Sequence, residues 1–231
     1  MVRRCFPFVL CGVYRIRNLV YDPAGKDLIS SFLPAVAEGE GGFVIYRHSG
    51  YYNFPMKRPK KGEFAPFHET YLNLLPPRGT AQSLLKKTFK EAQQLLLSLP
   101  EEWSDYSYEP GKWTIKQMLV HLIDSERVFS YRILSFMRGD RIALPGFNQN
   151  IWMEQVDPSK RSVKDLLKEW KAVRDNTLFL LAQCTEEQSK FPGMASGWKV
   201  TPRALFYVII GHQIHHINVL REKYLAQISA A

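Results

Sequence analysis

The sequence is poor in cysteine and has no long hydrophobic run. Its three cysteines, Cys5, Cys11 and Cys184, are scattered over 231 residues. They are too few for a disulfide framework, and no CxxC pair suggests a thiolate zinc site. No segment approaches the ~18 consecutive apolar residues expected of a membrane helix. The sequence therefore predicts a protein of the reducing cytoplasm with no membrane partner.

The first residues, MVRRCFPFVLCGVYRIR, imitate a secretory signal. The apolar stretch is short, however, and Arg15 and Arg17 close it without a small-residue cleavage site. We therefore expect the chain to remain in the cytoplasm.

The sequence also lacks a motif for nucleic-acid binding, although its formal net charge is +9. Lysine and arginine alternate with acidic residues in stretches such as KDLLKEWKAVRD, which is typical of a solvated helix face. No zinc-finger spacing, RNP-like motif or long basic block is present. We therefore expect no nucleic-acid partner.

The chain divides into two unlike parts near Met56. Residues 1–55 contain turn-rich pieces such as AEGEGG and RHSGYYNFP, without sustained periodicity. We expect them to form a poorly ordered N-terminal extension, or to reflect a misassigned start codon. Residues 56–231 are expected to form the folded domain.

Four helical patterns follow Met56, over residues 80–99, 114–137, 162–184 and 201–225. Thr114 and Gln117 have the spacing of a capping box, and Pro202 suits a first helical turn. Because no strand pattern competes, the sequence predicts an all-α fold, a four-helix bundle. The connection over 139–161 is too long for a tight hairpin and is expected to carry a short helix.

Three of the six histidines lie within the stretch GHQIHH near the end of the chain. His212 and His216 are one helical turn apart and share a face with apolar neighbours, so both imidazoles should point towards the core. This pattern alone fits either a metal site or hydrogen-bonded core histidines.

His121 lies on the apolar stripe of the second predicted helix. A buried histidine without a partner is costly, whereas imidazoles from two helices could meet at one ion. Three neutral imidazoles with an open position are typical of a catalytic divalent-metal site. Spacing alone leaves both the metal site and the core-packing interpretation open.

The stretches PGKWTIKQMLVHLIDSERVFSYRILSFMRGD, LPGF and RALFYVIIGHQIHHINVLREKYL together resemble the DinB/YfiT-like family of metalloenzymes. The resemblance extends from about Met56 to Leu225 and includes the MKRP and TYL segments. It implies a four-helix bundle, often dimeric, in which one histidine of the second helix and an HxxxH pair of the last helix bind a divalent metal. The matching residues are His121, His212 and His216.

The resemblance also implies a function. Members of the family include metal-dependent transferases that use low-molecular-weight thiols, and related isomerases. A cytoplasmic thiol S-transferase of detoxification or stress response is therefore expected. It would use zinc or nickel, take a small-molecule thiol and an electrophile as substrates, and form a homodimer. A metal-dependent hydrolase and a non-catalytic metal-binding dimer are the alternatives.

Two polar residues near the histidines have more than one interpretation. Asp124, one turn after His121, could orient that imidazole or accept a proton as a catalytic group, or it could bond Arg127 instead. His215 could form a site with His212 at a spacing of three, but the family pattern favours His216.

Four further residues are assigned structural or incidental roles. Glu126 is expected on the surface or in a salt bridge, because it lies on a different face from His121. Trp113 is expected to pack at the entrance of the second helix, with lining of a pocket as the alternative. His48 and His68 fall in the segments before the first long helix and are interpreted as incidental.

Overall fold

The structure is a computed structural model that describes residues 55–228. Almost all of the predicted N-terminal extension, residues 1–55, lies outside the described residues. The boundary near Met56 therefore stays a prediction.

The described chain is mainly helical, as predicted. Four long helices correspond to the four sequence patterns, and the short helix expected in the 139–161 connection is also present. The helices are α1 (Glu69–Leu72), α2 (Ala81–Leu97), α3 (Ile115–Met137), α4 (Gln149–Glu154), α5 (Val163–Gln183), α6 (Pro202–Val219) and α7 (Ala226–Ile228).

A hydroxyl side chain caps the N-terminus of each long helix. Each caps a helix by accepting a hydrogen bond from the backbone N–H three residues on, and such a cap contributes about 1 kcal/mol. The predicted capping box at α3 is confirmed, since the Gln117 side-chain oxygen also accepts a hydrogen bond from the Thr114 backbone N–H. The four caps are Thr80, Thr114, Ser162 and Thr201.

Two features depart from the predicted pattern. The last helix changes to a π-helical turn over Leu220–Leu225. Between α5 and α6, strands β1 (Gly193–Ala195) and β2 (Trp198–Val200) form a small antiparallel hairpin. Each strand has only three residues, which is too short for a recognisable alternation of apolar and polar residues.

The long helices form a bundle with an uncommon order of neighbours. Helix α3 packs against α5 and α6, and α2 packs against the same two helices. Helices α2 and α3 are therefore diagonal, although they are consecutive in the chain. Among the helices within residues 55–228, none has the length and apolar character needed to cross a membrane.

Glu126 occupies the interior of this bundle, and its predicted surface position is wrong. Its exposed fraction is 3%. The expected salt bridge is present: Arg174 Nε and Nη2 donate to its carboxylate at 2.7 and 2.9 Å. Trp170 Nε1 and Thr177 Oγ1 also donate to it, at 2.9 and 2.8 Å. Four donors thus compensate a carboxylate that has lost its water.

Arg174 extends this ion pair to the other two long helices. From α5 it donates to the Leu85 carbonyl of α2 at 2.7 Å and to Gln213 Oε1 of α6 at 2.8 Å. Since Glu126 belongs to α3, one guanidinium joins all four helices. The planar fork of arginine supplies these donors in fixed directions, so the network specifies how the helices face one another.

The substitution Arg174→Ala should destabilise the fold by about 3–5 kcal/mol, because it leaves the buried Glu126 charge uncompensated. The free energy of unfolding in urea measures this loss. Lys171→Ala is the matched control on the same helix, because Lys171 forms an exposed pair with Asp175 and should cost at most about 1 kcal/mol.

Removing both charges in Glu126→Leu/Arg174→Met should cost less than Arg174→Ala alone, because no buried charge is left unpaired. Equal stability of Arg174→Ala and Lys171→Ala would show that the ion pair does not hold the bundle together.

Candidate metal centre

The structure brings together the three predicted histidines from α3 and α6. His121 Nε2 lies 3.1 Å from His212 Nε2, and His216 Nε2 lies 3.2 Å from the same atom. One ring nitrogen of each of the three residues lies within 4.8 Å of the other two. Because α3 and α6 pack side by side, histidines from two distant segments of the sequence form one cluster.

The local sequence explains why these rings are buried. Helix α6 is buried on nearly all sides from Pro202 to Gln213, so a histidine on it cannot avoid the core until its last turns. His212 has an exposed fraction of 6%, and His121 one of 4%. His216 is half-buried and lies closer to solvent.

The donor set fits a divalent ion better than a set of hydrogen bonds. A neutral imidazole Nε2 has either one proton or one lone pair. It therefore cannot form two good hydrogen bonds, yet His212 Nε2 has two close nitrogen neighbours. Ligand nitrogens at about 2.0–2.1 Å from a tetrahedral zinc lie roughly 3.4 Å apart, close to the two observed separations.

The environment keeps the imidazoles in the neutral form that binds metals. Burial, together with a smaller contribution from the neighbouring His215, lowers the pKa of His121 to about 4. Burial also lowers the pKa of His212 and His216 well below the ordinary value, with added repulsion from the other rings. Neutral nitrogen lone pairs are thus available at neutral pH.

Two α3-side contacts hold His121. The Trp113 ring lies against the imidazole with a centroid separation of 4.8 Å, so Trp113 contacts the centre itself rather than only packing at the helix entrance. Ser125 Oγ lies 3.5 Å from Nδ1, at the long end of hydrogen bonding. Ser125 follows His121 by one helical turn, and this spacing is the sequence feature that could have indicated the contact.

Tyr71 contacts two of the histidines of α6. Its ring meets those of His212 and His215 edge-on, with centroids 5.2 and 5.5 Å apart. Close approach is possible because α6 has glycine at position 211. A Cβ there would overlap the backbone carbonyl of Tyr71. The TYL segment thus contributes directly to the site, a role that sequence reasoning missed.

A cavity of about 490 Å³ opens beside His216. One wall is aromatic, and the remaining lining combines polar side chains with two apolar residues of α3 and α6. The lining residues are Tyr108, Gly111, Lys112, Trp113, Met118, Gln149, Asn150, His215, His216, Val219 and Tyr224.

Asp124 forms an ion pair with Arg127. Its Oδ1 accepts a bond from Arg127 Nη1 at 3.2 Å, and Arg127 also donates to Glu169 of α5. Burial raises the pKa of Asp124, Arg127 lowers it and Glu169 raises it, with a net upward direction. The described bonds of His121 go to His212 and Ser125. This geometry matches the structural alternative for Asp124, and a catalytic role stays a prediction.

The remaining histidines are distributed differently. His215 is half-buried, contacts Tyr71 and His216, and lines the cavity, but it is not one of the three converging residues. His68 is 4% exposed, and within residues 55–228 its Nδ1 has no hydrogen-bond partner. Burial and Arg132 lower its pKa to about 4. His68 is therefore a core residue, and His48 lies outside the described residues.

The fold and the site together define a helical bundle with a candidate three-histidine metal centre. The family model of the DinB superfamily matches residues 84–220, more than half of the chain. The protein therefore belongs to the DinB superfamily, as the sequence resemblance predicted.

The chain is also similar to two known proteins. A protein of Oceanobacillus iheyensis is 25% identical over 122 residues, which cover 52% of this chain and 69% of that protein. The solved structure of YfiT from Bacillus subtilis, a four-helix bundle of unusual topology, matches with a TM-score of 0.56 and 17% identity. The match covers 74% of this chain and 94% of YfiT. At that identity the likeness concerns the fold alone.

The substitution Gly211→Ala should displace Tyr71 from the centre and destabilise the protein by about 1–3 kcal/mol, because the new methyl group overlaps the Tyr71 backbone. Thermal unfolding measures the effect. Gly146→Ala is the control, since its Cβ would make only ordinary van der Waals contacts with Ser196, the nearest of them to Oγ at 3.4 Å. Equal melting temperatures of the two variants would contradict the close packing of α1 on α6.

Proposed function

We propose that this protein is a divalent-metal-dependent enzyme whose ion is held by His121, His212 and His216. The observation that carries the proposal is the convergence of three neutral ring nitrogens beside an open cavity. Imidazole is a good ligand for zinc and nickel, which are the first metals to test.

The number of ligands favours a catalytic over a purely structural ion. Within residues 55–228, the cluster contains no fourth histidine, cysteine or carboxylate. Structural zinc sites are closed by four protein ligands, whereas catalytic sites keep a position for substrate. A bound divalent ion with such a position lowers the pKa of a thiol or a water molecule placed there.

We infer thiol S-transfer as the leading reaction, as the family resemblance implies. In this reaction a thiol releases its proton to solvent water, its sulfur forms a bond to an electrophilic carbon, and the bond from that carbon to the leaving group breaks, so that the leaving group departs with the electron pair. A free thiol has a pKa of about 8.5, so it ionises near neutrality without a carboxylate base. The cavity lining contains no Asp or Glu, which fits this chemistry.

Hydrolysis is the second candidate, and the similar proteins favour it. The Oceanobacillus protein is named "Putative metal-dependent hydrolase", and YfiT is described as a "probable metal-dependent hydrolase". Attack by water needs a positioned proton acceptor, and Asp124 is the carboxylate proposed for it. Its bond to Arg127 would have to be exchanged for this role.

The homodimer, the cytoplasmic location and the role in detoxification or stress response remain part of the proposal. The homodimer and the role in detoxification or stress response follow from the family resemblance, and the cytoplasmic location follows from the small number of cysteines. The ring nitrogens of one chain form the proposed centre, so the metal test below does not depend on a dimer.

Wild-type protein purified without a histidine tag should contain about one divalent ion per chain, and His212→Ala/His216→Ala should contain none. Elemental mass spectrometry measures the content, and circular dichroism checks the fold. His215→Ala is the matched control: it removes an adjacent imidazole of the same helix and should keep the ion.

Absence of metal from the wild type after equilibration with zinc or nickel would contradict the proposed function. Equal loss of metal in His215→Ala would contradict the ligand assignment.

The substitution Asp124→Asn separates the two reactions. If the enzyme transfers a thiol, as we expect, turnover with a thiol and an electrophile should change by less than about threefold, because Asp124 takes no proton. In a hydrolase that uses Asp124 as its base, the same substitution would lower turnover by about 10²–10⁴-fold. Steady-state kinetics on metal-loaded protein, with metal content measured in parallel, decides between them.

A further inference from the structure

We propose that the cavity beside His216 binds a small molecule that combines an oxyanion, carboxylate or phosphate, with a flat ring or unsaturated portion. The inference rests on the proposed function, because it names the class of substrate that would reach the ion. Its volume of about 490 Å³ lies in the usual range for small-molecule sites.

The charge of the lining selects for an anion. Lys112 is the only lysine or arginine among the lining residues, and the lining contains no Asp or Glu. Within the described part of the chain, the ammonium group of Lys112 has no carboxylate within 4.0 Å. The side-chain amides of Gln149 and Asn150 line the same cavity and supply N–H donors. Ammonium and amide donors together suit an oxyanion.

The backbone that carries Lys112 is fixed before any ligand binds. The Lys112 N–H donates to the Glu109 carbonyl at 3.1 Å. Ser107 Oγ lies 2.8 Å from the carbonyl oxygens of both Glu109 and Lys112. Gly111 has a φ of 77°, a left-handed conformation that glycine adopts without strain. The turn therefore fixes the backbone from which Lys112 reaches the cavity, and only the exposed Lys112 side chain has to be ordered when a ligand binds.

The aromatic wall is also held in place by contacts within the chain. Tyr224 OH donates to the Trp113 carbonyl at 2.6 Å, and the Tyr224 ring meets that of Tyr108 with centroids 4.8 Å apart. Trp113 in turn lies against His121. Flat groups gain contact area on such rigid rings, so the wall favours a planar portion of the ligand.

The π-helical turn explains how Tyr224 reaches this wall. An α-helix has 3.6 residues per turn, and a π-helical turn holds more residues. Each residue of Leu220–Leu225 is therefore rotated less than in an α-helix, which shifts Tyr224 towards the face of His216. Such turns often occur at functional sites. The ring wall, the cation and the histidine centre thus surround one cavity.

The test is calorimetric binding of matched probes to the full chain reconstituted with zinc. Benzoate and phenyl phosphate carry the two oxyanions, benzamide is the neutral counterpart of benzoate, and inorganic phosphate lacks the ring. We expect both ring-bearing anions to bind about tenfold more tightly than benzamide, and phenyl phosphate about tenfold more tightly than inorganic phosphate. Whichever of these two anions binds more tightly shows whether the site prefers a carboxylate or a phosphate.

The substitution Lys112→Met separates the proposed contact from direct binding of an anion to zinc. It should weaken benzoate and phenyl phosphate about tenfold and leave benzamide unchanged. Lys90→Met, which removes an exposed lysine of α2, should change none of the affinities. Anion affinities unaffected by Lys112→Met, or benzamide binding as tightly as benzoate, would overturn the inference.

Zinc content measured on the same samples distinguishes the two proposals. A normal zinc content together with no preference for anions would contradict this inference and leave the proposed function standing. Absence of zinc contradicts the proposed function. The probe comparison on the zinc-free chain still decides the inference, because the lining residues form the cavity without an ion.

Discussion

The buried ion pair between Glu126 and Arg174 is the constraint on which the rest of the structure depends. Arg174 bonds partners on all three other long helices, so no helix can rotate or slide without leaving a buried polar group unpaired. Hydrophobic burial is non-directional and would allow several arrangements of the four long helices. The charged network removes that freedom, at the cost of desolvating two charges.

The same ion-pair network also positions the candidate metal centre. Gln213, which accepts a bond from Arg174, directly follows His212 on α6, and Glu126 lies five residues after His121 on α3. The network and the centre thus lie on the same two helices. The positions of the ring nitrogens can be kept to within a few tenths of an ångström only if each helix has a fixed rotation about its own axis. Tyr71 packs against His212, and Trp113 packs against His121.

Several features were predictable because they are local or periodic. The capping box of Thr114 and Gln117 depends on residues three apart, and the apolar stripes of the long helices depend on the helical period. The shared face of His212 and His216 follows from the same period. Glu126 was misplaced because helical phase alone cannot show which neighbour covers a face. Tyr71 was missed because its contact needs the distant Gly211.

The sequence by itself determined four long helices, their caps and the positions of the metal-ligand candidates, since each depends on residue type and short spacing. Membership of the DinB superfamily was also readable from the sequence, through its resemblance to that family over most of the chain. Only the tertiary structure decided that α2 and α3 lie diagonally, that three histidines meet, and that the π-helical turn brings Tyr224 to the cavity. These features arise from contacts between residues far apart in the chain. Such contacts depend on how whole helix surfaces pack, and no short stretch of sequence specifies that packing.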